Sequence, residues 1–233
     1  MENLRPNEQR AKTAVLLIWI VLGLEIASFI SSYLQYNLLD NVDNGRQVSF
    51  ESATVNDIRE RTIAIIYLIA SVVSGIVFIQ WFRRAYFNLH LKVNHLTFSE
   101  GWAAGSWFVP LMNLFRPYRI MKELFEETER LLFKRHPEVK AKLTTSILGG
   151  WWALWLASHY IDQYIFRSNL KADTIKELIL ITKINMVSNI IAIPLALITI
   201  KIIKNYSSIE TLLNEPEEVE LTEEVKLDEF SIQ

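Results

Sequence analysis

Four stretches of the chain, 13–34, 62–82, 143–166 and 178–200, are almost free of charge, and each is apolar all round rather than along one stripe. An all-round apolar helix has to be surrounded by lipid or by other helices. About 20 helical residues cross a hydrocarbon layer of roughly 30 Å, and every stretch meets that length. Burying four such helices in one small water-soluble core is not feasible for 233 residues. The pattern therefore predicts an all-α membrane protein with four transmembrane helices. The first stretch is longer than the 7–15 residues of a cleaved secretory signal. Its flank mixes Glu2 and Glu8 with Arg5, Arg10 and Lys12, so it reads as an uncleaved anchor.

Local signals place some helix ends. Thr174 with Glu177, and Asp57 with Glu60, have the spacing of a capping box ahead of the fourth and second spans. Asn44-Gly45 marks a turn between the first two spans, and Pro194 is expected to kink the fourth. Between spans two and three lies an inner segment, 98–135, whose first half is a short apolar run interrupted by Pro110. It is too short to span, and it predicts a re-entrant or interfacial segment. Gly101 and Gly105 have the spacing that lets helices approach closely. Pro117 suits the first turn of a following helix. There Ile120, Met121, Leu124, Phe125, Leu131 and Leu132 recur at three- and four-residue steps, which predicts a cytoplasmic amphipathic helix.

Charge sets the orientation. Hydrophobic residues make up 51% of the chain and charged ones 21%, with a mean hydropathy of +0.18, so charge must be segregated from the apolar runs. With residues 1–12 in the cytoplasm, 17 Lys and Arg residues fall in inner segments and six in outer loops. The positive-inside rule then places both termini in the cytoplasm, with the domain of 13–204 in the inner (plasma) membrane. From Asn205 onward nine acidic residues face a single Lys226, so 205–233 reads as an acidic, disordered cytoplasmic tail. The remaining net charge of +6 is too diffuse to indicate nucleic acid. The absence of cysteine removes disulfides, thiol nucleophiles and cysteine-based zinc sites.

The inner segment carries the most distinctive residues: Trp81 and Arg84 with Asn88, Gly101-Trp102, Trp107-Phe108-Val109-Pro110, and Asn113-Leu114 with Arg116-Pro117. Together with the cluster Trp151-Trp152-Ala153-Leu154-Trp155, they resemble a bacterial membrane family catalogued as domain of unknown function 4328. The resemblance covers about 62–204. It implies a membrane fold and a bacterial origin, and it brings no catalytic residue with it.

Several polar residues lie inside the apolar spans. A charge at mid-bilayer costs roughly 2.5–3.5 kcal/mol on insertion scales. Glu25 sits near the centre of the first span, His159 and Asp162 are one turn apart in the third, and Lys183 precedes Asn185 and Asn189 in the fourth. At about 1.5 Å per residue their depths overlap, which predicts a cluster with Lys183 paired to Glu25 or Asp162. Such a cluster either handles protons, ions or a small polar ligand, or serves as polar glue that fixes helix register. His90 and His95 lack a third ligand at metal-binding spacing and read as loop histidines, so neither metal nor cofactor is expected. Arg83, Arg84, Arg116 and Arg119 suit anionic lipid headgroups, and Asn88 and Asn113 are expected to tie the inner segment to the second span. No nucleophile elbow, phosphate-binding loop or metalloprotease helix occurs. The expected function is therefore non-enzymatic: binding or organising a lipid, a protein partner or a second copy through the cytoplasmic face. The rival expectation is a small transporter or ion channel built on the polar cluster.

Overall fold

A computed structural model describes residues 4–214, and within them the chain is helical with no strand. The helices are α1 (Glu8–Asp43), α2 (Phe50–His90), α3 (Trp102–Gly105), α4 (Arg116–Leu132), α5 (Val139–Lys142), α6 (Ser146–Asn169) and α7 (Ile175–Glu210). Single 3-10 turns lie at Met112–Leu114 and Thr211–Asn214. Among the described residues three helices, α1, α2 and α7, are long and apolar enough to cross a membrane. The 24 residues of α6 reach about 36 Å, also long enough, but His159, Asp162, Gln163 and several serines dilute its apolar content.

The end signals divide. Thr174 and Glu177 form the expected capping box, with each side chain bonded to the other residue's backbone N–H. Pro117 lies in the first turn of α4, and Gly45 adopts the left-handed conformation (φ 72°) that a glycine tolerates best. Asp57 and Glu60, by contrast, lie inside α2 and cap nothing. The helix starts earlier because the Ser49 hydroxyl accepts from the Ser52 N–H at 3.1 Å, so the chain is already helical when it reaches Asp57. At the other end, residues 205–210 continue α7, and Tyr206, Ile209 and Leu213 are buried. The helix thus runs past the boundary expected at 205, because Tyr206, Ile209 and Leu213 recur at helical spacing and have a surface to cover. The rest of the expected tail, 215–233, lies outside the described residues.

Packing is uneven along the bundle. α1 lies against both α2 and α7, and α6 lies on the far side of α7, giving the order α2, α1, α7, α6. The apolar core sits at the end of the bundle where α1 begins and α7 finishes. Trp81, Phe82, Ala85, Tyr86 and Leu89 of α2, Ile120, Met121, Leu124 and Phe125 of α4, and Ile203 and Tyr206 of α7 are all completely buried there. The predicted stripe of α4 is therefore largely covered by protein, with Phe125 stacked on Tyr206 at 5.9 Å. Toward the opposite end the buried residues are largely polar: Glu25, Ser31, Ser32, Asn56, Thr182, Ser188 and Asn189. Apolar side chains face outward instead, with Leu68 62% and Ile69 60% exposed. This inside-out arrangement is what a hydrocarbon solvent favours, because lipid satisfies Leu and Ile but leaves polar groups to satisfy one another.

The capped end is tied together by a buried carboxylate. Glu210 accepts from the Asn7 amide at 2.9 Å and from the Asn88 amide at 2.7 Å. Asn88 also accepts from the Arg5 N–H (3.0 Å) and donates to the Arg5 carbonyl (2.9 Å), while the Trp81 indole donates to Ser207 at 3.1 Å. One knot therefore joins the lead-in to α1, the end of α2 and the end of α7. Glu210→Ala should strand two buried amides and lower stability by about 1–3 kcal/mol. The expected readout is a lower thermal midpoint in detergent and faster tryptic cleavage after Arg10 and Lys12; an unchanged midpoint would show that the knot contributes little.

Candidate functional site

The row α2–α1–α7–α6 does not close into a ring. Phe78 and Trp151 bring α2 and α6 together near the capped end, at 6.3 Å between ring centres, but the two are not among the helix pairs that pack along their length. The space between them is a cavity of about 910 Å³ bounded by α1, α2, α6 and α7.

Its middle is polar. Glu25, only 5% exposed, accepts a 2.6 Å hydrogen bond from the Tyr67 hydroxyl of α2. With the Asn189 amide oriented so that its oxygen accepts from the Phe29 N–H at 3.1 Å, its nitrogen donates to the second carboxylate oxygen at 2.9 Å. Across the cavity the Ser188 hydroxyl donates to Asp162 at 2.8 Å, and the Asn185 amide donates to Ser32 at 2.9 Å. Glu25, His159, Asp162, Asn185 and Asn189 all line the cavity, so five of the six residues expected to cluster do so.

Lys183 is the exception. Its ammonium lies 5.1 Å from the centre of the Tyr36 ring, and the expected pairing with Glu25 or Asp162 is not formed. Among the described residues, no lysine or arginine nitrogen comes within 4 Å of either carboxylate. The physical reason is reach: a flexible lysine turns toward the wetter end of its helix, where an aromatic face can hold it, rather than toward mid-bilayer. His159 does not bond Asp162 either. Its ring stacks on Trp155 at 5.2 Å, and it shares a 3.2 Å hydrogen bond with Gln163.

Sequence reasoning missed Tyr67 and Ser188, the groups that satisfy the two carboxylates. Tyr67 left a signal, since a tyrosine at mid-span is away from the interface where its hydroxyl would find water. It also missed the polar closure at the open end. There Arg59 donates to Ser31 at 2.8 Å and to Asn56 at 2.5 Å, and the Ser31 hydroxyl donates to Glu60.

The inner-segment residues shape the opposite end. Trp107 is wedged between α2 and α6, with its ring 5.8 Å from Phe78, 5.6 Å from Trp155 and 6.0 Å from Trp152. The Trp152 indole donates to the Leu114 carbonyl at 3.0 Å, which fixes the inner segment to α6. The Arg116 guanidinium lies 4.1 Å over Trp102, and Arg84 lies 6.0 Å from the Phe87 ring that Arg5 also covers. Beyond Trp107 the chain turns through an apolar tip: Phe108 and Leu111 are each 73% exposed, beside exposed Val109 and Pro110.

Three of the expectations for this segment change. Nothing but the ring of Trp102 comes within 4 Å of a Cβ built on Gly105, and nothing does at Gly101, so the glycine pair is no helix-contact surface. The short α3 and the turn after it present bulky Trp102 and Trp107 instead. Asn88 ties down the lead-in to α1 rather than the inner segment, and the tie to α2 expected of Asn113 is made by Tyr86, whose hydroxyl donates to the Phe98 carbonyl at 3.1 Å. His90 bonds the Phe98 carbonyl at 2.9 Å and His95 bonds Glu127 at 3.1 Å, each with its own separate partner.

Long apolar helices wrapped around buried polar groups define a helical integral membrane protein. The chain belongs to the family described as domain of unknown function (DUF4328), whose model matches residues 44–208. That match starts earlier and ends later than the resemblance expected over 62–204. It takes in Tyr67, Asp162, Asn189 and the whole inner segment, and leaves Glu25 and Glu210 outside. No curated protein and no solved structure matches the chain.

The hydrogen bonding of Glu25 makes a specific prediction. Tyr67→Phe removes one of its two side-chain donors, and interhelical hydrogen bonds in membranes contribute about 0.6 kcal/mol on average and up to about 1.7. A destabilisation of that size, read as a lower thermal midpoint in detergent, is expected, with the helical circular-dichroism signal retained. A midpoint equal to wild type would mean that the hydroxyl does not hold the carboxylate.

Proposed function

We propose that this chain is a four-span protein of a bacterial inner membrane, with the start of α1 and the end of α7 in the cytoplasm, that binds a small molecule within the bilayer and catalyses no reaction. The cavity reaching Glu25 and Asp162 carries this reading. Binding sites of this kind are concave and mostly apolar, with a few convergent polar groups, and a volume of about 910 Å³ holds a molecule of moderate size. The carboxylates are held in place by hydroxyl and amide groups from neighbouring helices, an arrangement suited to orienting a bound molecule.

Four spans are supported by the packing of α6 along α7, which gives the two helices a common depth. Sixteen basic residues on the capped side, counted among the described residues, support its cytoplasmic placement. The exposed tip at Phe108–Leu111, flanked by Arg116 and Arg119, supports a re-entrant segment that dips into the inner leaflet beside anionic headgroups. A channel or transporter needs a path through the capped end, and Phe78, Trp107 and Trp151 fill that position. An organising role through the cytoplasmic face is the second reading, and the same apolar tip is the surface that favours it.

Because the chain has no cysteine, single cysteines report on topology directly. Asn44→Cys and Ala172→Cys should react with a membrane-impermeant maleimide on intact cells, whereas Asn94→Cys and Glu138→Cys should react only after permeabilisation. Ala192→Cys, on the cavity wall, should react with a small permeant reagent. The reverse labelling pattern, or an inert Ala192→Cys, would overturn the orientation or the open cavity respectively.

A further inference from the structure

We propose that the cavity between α2 and α6 takes a lipophilic organic cation, a molecule with one positive centre and an apolar, preferably aromatic, body, entering sideways from the bilayer. This rests on the cavity reading above and names the ligand class.

Three independent observations converge. The first is the sign of the site. Glu25 and Asp162 both line the cavity, and among the described residues neither has a lysine or arginine within 4 Å. The groups facing Glu25 are Tyr67 from α2, Asn189 from α7, and Asp162 with His159 from α6; Lys183 of α7 is held at Tyr36, and toward the open end Arg61 also lines the cavity, where Glu60 is engaged by Ser31 and Arg59. In a medium of low dielectric constant an uncompensated carboxylate attracts a cation far more strongly than in water. The second is the wall. Phe78, Trp107, Trp151, Trp155 and Phe166 line the cavity, and Trp155 stacks between Trp152 and His159. Aromatic faces hold organic cations by their quadrupole and hold apolar bodies by burial. The third is the mouth. Leu68 on α2 and Phe166 on α6 line the cavity and are 62% and 67% exposed, so the gap between those helices opens toward hydrocarbon. A hydrated inorganic ion does not enter by such a route, whereas a cation with an apolar body does.

The test compares tetraphenylphosphonium with tetraphenylborate, ions of matched size and opposite charge, using the full chain in nanodiscs with empty nanodiscs as the partition control. Quenching of tryptophan fluorescence reads occupancy, since Trp107, Trp151 and Trp155 line the site. The phosphonium should bind saturably and at least tenfold more tightly than the borate. Glu25→Gln and Asp162→Asn should each weaken it tenfold or more, and the wild-type comparison decides the matter even if a variant fails to fold. Equal or tighter binding of the borate overturns the cation class and leaves the cavity reading standing. Absence of saturable binding by either ion, with Ala192→Cys still reactive, also overturns the cation class alone. No binding together with an inert Ala192→Cys overturns both.

Discussion

A carboxylate placed in the middle of a helix that faces hydrocarbon must be answered from inside the bundle, and Glu25 sets this constraint for the whole membrane region. Its two hydrogen-bond donors come from different helices, Tyr67 from α2 and Asn189 from α7. The same residue therefore decides which neighbours α1 has and which face each of them presents. Asn185 with Ser32 and Ser188 with Asp162 repeat the pattern along α7. In water such bonds would compete with solvent; in lipid the alternative is an unsatisfied group, so register is tightly held where apolar packing is sparse.

The two ends of the molecule divide the work. Apolar packing, tryptophan stacking and the Glu210 knot make the capped end dense, while the membrane half is spaced by polar contacts and left hollow on one side. Trp107 sits where the two regimes meet. It fills the gap between α2 and α6 that helix packing leaves, and so the inner segment is the floor of the cavity as well as a surface feature.

Much of this architecture is legible in the sequence because lipid imposes a crude rule: long uncharged runs are helices, and charges inside them need partners. The all-helical class, the capping box at Thr174 and the meeting of Glu25 with Asn189 and Asp162 follow from that rule. The misses share one cause, which is that reach and competition are three-dimensional. Lys183 has the right depth to meet a carboxylate but finds Tyr36 first. Glu210 reads as part of an acidic run because its value lies in Asn7 and Asn88, more than a hundred residues away. Gly101 and Gly105 match a pattern whose meaning depends on a close helix approach at the glycines themselves, and α2 meets α3 elsewhere. The cavity itself has no sequence signal, since it arises from a pair of helices that fail to pack.

The knot at Glu210 also bears on how the protein is made. Asn7 and Asn88 precede Glu210 by more than a hundred residues, and the carboxylate comes at the end of α7. The lead-in to α1 and the end of α2 are therefore synthesised first and wait for a group that the ribosome delivers later. A chain arrested before that point keeps its earlier helices yet leaves the amides of Asn7 and Asn88 unlatched. The arrival of α7 is thereby recorded at one buried carboxylate.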